Sequence, residues 1–149
     1  MVGYAFWYAT QKLTPARWTS TPGLNRTGDF NRHVRFAQRF LSSSGCTISD
    51  TMRRHQLKLA DRQCRMSTLS MQVQNAVTML VTALHAGRSD DSVTRMAGDA
   101  MCRELIRRIV GGHASDADFR QVTRLGSTIA ESGWKELRGI DAAEVMHPY

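Results

Sequence analysis

The sequence predicts an all-α protein, an antiparallel bundle of three to four helices built on one long central helix. Three observations point there. Apolar residues recur seven apart at Met52, Leu59, Met66, Val73 and Leu80, with Ile48, Leu69, Ala76, Val77 and Leu84 filling the other half of a helical stripe. No segment alternates apolar and polar residues with β-branched enrichment, so no sheet is expected. The remaining amphipathic stretches are joined by short Gly/Ser connections, the loops of an up-and-down bundle.

Residues 1–28 read as an irregular N-terminal segment, or a helical stub and a loop, set apart from a bundle domain at 29–149. They are aromatic and Thr-rich, with Pro15, Pro22, Gly23 and Gly28. A first helix is expected from Asp29, with Phe30, Val34, Ala37, Phe40 and Leu41 on one face and a stop at Ser42-Ser43-Ser44-Gly45. Thr47 or Ser49 would then cap the central helix, a short hydroxyl side chain satisfying its first-turn N–H groups. From Ile48 to Ala86 there is no Gly or Pro, and Gly87 stands where a left-handed cap would sit. That predicts a helix of roughly 40 residues, about 55–60 Å long.

The next helix starts at Ser89-Asp90-Asp91, acids suited to the positive end of a helix dipole. Its expected buried face is Val93, Met96, Ala97, Ala100, Met101, Leu105 and Ile109, and Gly111-Gly112 stops it. Ser115-Asp116-Ala117-Asp118 resembles a capping box for a fourth helix carrying Phe119, Val122, Leu125, Ile129 and Ala130, ended by Gly133. Trp134, Leu137 and Ile140 are expected packing residues of a short tail.

The 149 residues suit one domain with a sizeable core. No stretch is apolar enough for a membrane span. The Val2–Ala9 run is too short for a signal-peptide core and lacks a basic leader, so a cytoplasmic protein is expected. Cys46, Cys64 and Cys102 are far apart and odd in number, which favours reduced, packed thiols. The net charge is +7 and lopsided: residues 1–65 carry eleven Lys/Arg against three acids, residues 66–149 nine against ten. Seventeen of the cations are Arg, suited to bidentate pairing with carboxylates and phosphates. Nucleic acid, an anionic membrane surface or an acidic protein could meet such a half, as could solvent alone.

Catalytic and metal templates fail. There is no glycine-rich phosphate loop, and Gly111-Gly112 follows a helix instead of preceding one. His33, His55, His85, His113 and His147 have no i,i+4 His or Cys partner and no zinc-like spacing to a carboxylate. Glu104, Glu131, Glu136 and Glu144 fall on polar faces or in the tail, without the desolvated setting that a general base needs. Catalytic, cofactor-binding and metal residues are therefore each expected to be none. Two basic rows stand out, Arg54, Lys58, Arg62 and Arg65 on the central helix and Arg32, Arg35 and Arg39 on the first. Phosphate binding uses such rows. No nucleic-acid motif accompanies them and Asp61 interrupts one, so nucleic acid is not the expected partner.

The stretch His55–Arg88, with Asp61-Arg62-Gln63 and His85-Ala86-Gly87-Arg88 at its landmarks, resembles the long C-terminal helix of very-long-chain-type acyl-CoA dehydrogenases. Ala97–Ile109, Phe119–Ile129 and the Gly139-Ile140 tail are similar to the extra helical region of that family, and the likeness covers residues 29–149. The resemblance implies an oxidoreductase family that uses FAD in fatty-acid oxidation. Its catalytic glutamate lies in an E-G-T-N-like motif that none of the four glutamates here reproduces, and its flavin-holding β-domain has no counterpart in the chain. The implied role is that of the region after the chemistry: packing, dimerisation and association with a membrane, with no activity and no cofactor in this chain alone. Its rivals are a helical protein-interaction module that docks on a partner or on a second copy, and an Arg-rich binder of nucleic acid or an anionic surface.

Overall fold

The computed structural model describes residues 28–55 and 63–139, together with Gly3, Phe6, Tyr8 and Thr10. Every regular element among them is helical: α1 (Gly28–His55), α2 (Gln63–Arg88), α3 (Ser92–Val110), α4 (Asp116–Ser132) and a 3₁₀ turn (Lys135–Leu137). The all-α expectation holds. The four described positions of the N-terminal segment are helical too, which agrees with a helical stub there and not with a wholly irregular segment.

In place of one helix over 48–86 there are two helices, which pack side by side. Three pairs fix the direction of α2 against α3: Ala86 faces Gly98, the Cys102 thiol points at the Met79 carbonyl, and Gln72 Nε2 donates to the Ile109 carbonyl at 3.0 Å. The numbers rise along one helix as they fall along the other, so the two are antiparallel. Phe30, at the start of α1, also reaches the Gly98 site beside Ala86, at the end of α2, so α1 opposes α2. The heptad register is thus shared between two antiparallel helices. Met52 is 48% exposed, and Leu59 lies outside the described residues.

The expected stop at Ser42–Gly45 is absent because hydroxyls bond back into the helix and need no loop. Ser43 Oγ donates to the Phe40 carbonyl, Ser44 Oγ to Leu41, Thr47 Oγ1 to Ser43 and Thr51 Oγ1 to Thr47. Both Ser44 and Thr51 are buried. With Phe30 and Ala37 they make the heptad seam of α1, whose second half is polar. At its far end Tyr8 Oη donates to Asp50, and the Arg53 guanidinium sits 5.2 Å from the Tyr8 ring centroid.

The core lies where Phe30, Val34 and Ala37 meet Ala76, Met79, Ala83 and Ala86 of α2 and Cys102, Leu105 and Ile109 of α3. On α2 the buried set is turned by about a quarter of the helix circumference from the expected stripe, leaving Val77 46% exposed. On α3 the expected Met101 is exposed, while Thr94, Gly98 and Cys102 are buried. Small residues win because they let α2 and α3 approach closely: a Cβ on Gly98 would stand 2.3 Å from that of Ala86. Gly87 continues α2 and does not cap it.

The caps of the later helices form as expected. Asp91 accepts from the Thr94 N–H at 2.9 Å, and Gly111 closes α3 at φ 75°. Ser115 and Asp118 make the capping box of α4, and Gly133, at φ 72°, ends it. The stripe of α4 is the exception: it has no buried residue, and Phe119 and Val122 are 60% and 55% exposed. Two polar side chains tie it to α3, Asp118 on Arg107 and Gln121 on Asp99.

Candidate functional site

Asp99, near the middle of α3, gathers side chains from three helices. His33 Nε2 of α1 lies 2.7 Å from its Oδ1, while Arg103 Nε and Gln121 Nε2 donate to Oδ2 at 2.8 and 2.7 Å. His33 is fully buried and stands edge-on to Phe30, with ring centroids 6.2 Å apart. Its Nδ1 has no hydrogen-bond partner. A His–Asp pair serves nucleophilic catalysis when the second ring nitrogen addresses a nucleophile. Here that nitrogen is sealed in protein, so the pair works as a clamp between α1, α3 and α4.

Burial pushes the Asp99 carboxyl up, but hydrogen bonds from His33, Gln121 and Arg103 and the Arg103 charge outweigh it and hold the group well below the usual carboxylate range. A carboxylate with a depressed folded-state pKa contributes stability above its ordinary value of 3.8 and loses it as pH falls towards the folded-state value. The urea midpoint is therefore expected to be flat above roughly pH 5 and to fall below it, with a shallower fall in Asp99→Asn. An identical fall in that variant would remove Asp99 from the account.

A second junction lies lower on α3. Arg107 donates to Glu104 at 2.8 Å and reaches Asp118 of α4 at 3.0 Å, while Arg108 takes the other oxygen of Glu104 at 2.8 Å. Glu104 lies on a polar face as expected, its side chain 39% exposed, and pairs there with both arginines of the last turn of α3.

The outward side of α2 differs from every other exposed surface described. From Met66 to Leu84, nineteen residues run without a charge. Ser67, Ser70, Met71, Gln74, Val77, Thr78 and Val81 are exposed there, with Met71 at 59% and Val81 at 61%. Their spacing of three and four repeats a heptad seam, with Gln74 as its central polar residue. Beyond Val81 the surface leads into an apolar groove of about 460 Å³ lined by His85, Ala97, Met101 and Trp134 among others. Trp134 forms its wall because its Nε1 donates to Thr94 Oγ1 at 2.9 Å, and Thr94 Oγ1 in turn donates to Asp91 at 2.7 Å. His85 and Glu136 face each other at 3.9 Å across the rim.

Among the described residues no group of three or more His, Cys, Asp or Glu is placed to hold a metal, and no helix is long and apolar enough to cross a membrane. Cys102 is buried, its thiol pushed up to about 12 by burial and by the Asp99 charge, whereas Cys64 is exposed and not packed as expected. Glu131 and His113 are exposed, and His55 is half-buried. Lys58, Arg62, Ile140, Glu144 and His147 lie outside the described residues. Arg54 and Arg65 are exposed on different helices, so the expected row on the central helix is divided. Arg32, Arg35 and Arg39 stay together on α1. Sequence reasoning missed the Asp99 clamp, whose partners are 66 and 22 residues away. Its one local part is the i,i+4 pair of Asp99 with Arg103, a spacing that many surface pairs share. No known family model matches the chain, and neither does any curated protein or solved structure.

Proposed function

We propose that this chain is a non-catalytic helical association domain that pairs with a second copy of itself through the outward side of α2. The uncharged surface from Ser67 to Val81 carries the reading. Exposed Met71, Val77 and Val81 on an uncharged helix side mark a surface that a partner covers at little desolvation cost, and α1 and α3 leave this side of α2 open. Charge favours a second copy as the partner. Chains of net charge +7 repel, and two of them meet at least cost through a surface that carries none. An amide such as that of Gln74 is both donor and acceptor, so it can satisfy its own copy.

The same role is what the likeness to the C-terminal region of very-long-chain-type acyl-CoA dehydrogenases implies, a helical region that packs and dimerises beside chemistry done elsewhere. On that reading the purified chain, given FAD and palmitoyl-CoA, shows no dehydrogenation above background, and turnover would contradict it.

Light scattering over a concentration series tests the association. The wild type is expected to reach dimer mass. Val81→Glu sets like charges in the paired surface and is expected to weaken association by about tenfold or more while leaving helix content unchanged. A strict monomer at high concentration, or a Val81→Glu chain that pairs as well as the wild type, would remove the proposal.

A further inference from the structure

A different surface, on α1, has the chemistry of an anion site. Arg32, Arg35 and Arg39 follow one another at three- and four-residue steps, a span of roughly 10 Å along the helix. They line a cleft of about 580 Å³ together with Asn31 and Phe36. No carboxylate is among the described residues that line it, and Arg32 and Arg35 make no ion pair among the described residues. Phe36 is partly buried against the core, so its ring is held in place at the cleft wall.

Like charges at such spacing on a helix repel by a few tenths of a kcal/mol per pair, so holding Arg32 and Arg35 side by side costs the fold that much. Guanidinium groups present paired N–H donors that match phosphate oxygens, and a fixed aromatic edge offers an apolar surface to a flat ring. The volume falls within the roughly 300–1,000 Å³ of small-molecule sites. From these observations we infer that the α1 cleft binds a small phosphate-bearing ligand of nucleotide size. Arg32, Arg35 and Arg39 take the phosphates, and Phe36 lies against the ring. The site is independent of the pairing surface, since neither α2 nor α3 contributes a described residue to its lining.

Calorimetric titration of the full chain with inorganic pyrophosphate and with ADP, at low and high sodium chloride, tests this. Both probes are expected to bind, less tightly at high salt, and ADP more tightly than pyrophosphate because of Phe36. The exposed double variant Arg32→Gln/Arg35→Gln is expected to lose at least tenfold in affinity for both, with its melting temperature without ligand equal to or above that of the wild type. Absence of binding by either probe at low salt, or unchanged affinity in the double variant, would overturn the site. ADP binding no tighter than pyrophosphate would overturn the part given to Phe36. Arginine-dependent binding to vesicles of anionic lipid, with neither soluble probe bound, would assign the cleft to a membrane surface and overturn the small-ligand reading.

Discussion

Replacing Asp99 with Ala is expected to cost ~3 kcal/mol of folding stability, since it leaves a buried donor without its acceptor. Three groups lose their partner at once: His33 Nε2, Arg103 Nε and Gln121 Nε2. His33 is fully buried, so water cannot replace the carboxylate there, whereas Arg103 is partly exposed and its loss is screened. The companion change His33→Phe removes the buried donor together with its need for an acceptor. In the Asp99→Ala background it is expected to recover part of the loss, a coupling that a double-mutant cycle in urea would measure. If Asp99→Ala left the urea midpoint unchanged, the three-helix clamp would have no energetic content.

Gly98→Ala comes next. A methyl group there would stand 2.3 Å from the Ala86 Cβ and 3.8 Å from its Cα, so α2 and α3 must separate. Overpacking of this kind costs ~1–3 kcal/mol, more than the ~1 kcal/mol that Ala gains over Gly in a helix interior. Gly126, in α4, is the control. Nothing lies within 4 Å of its added Cβ, so Gly126→Ala is expected to stabilise by up to ~1 kcal/mol. The opposite signs separate packing from propensity. Thermal melts in which both substitutions moved the same way would contradict the close approach at Ala86.

What the sequence could show follows from the range of the forces involved. Caps and helix ends are local, and Ser115 with Asp118, Gly111 and Gly133 were all legible. The Ser42–Gly45 stretch misled because a hydroxyl either ends a helix or bonds back into it, and only the tertiary setting that buries Ser44 decides. The heptad through Met52 and Leu80 is real as a pattern. Whether its halves lie on one helix or on two antiparallel ones depends on a reversal that periodicity does not encode. On α3 the eye goes to Met101, but close packing against α2 selects Gly98 and Cys102. The Asp99 clamp joins residues from three helices, and no spacing rule in one sequence reaches that far.

The most direct test of the pairing reading is covalent capture at the centre of the outward side of α2. In a Cys46→Ser/Cys64→Ser background, Val77→Cys treated with a short bismaleimide should give a cross-linked dimer in high yield. The same reagent on Glu131→Cys, exposed on α4, should give little. The buried Cys102 thiol, pushed up to about 12, does not compete. Equal yields at the two positions, or no cross-link at Val77→Cys in a chain that scatters as a dimer, would place the contact somewhere other than α2.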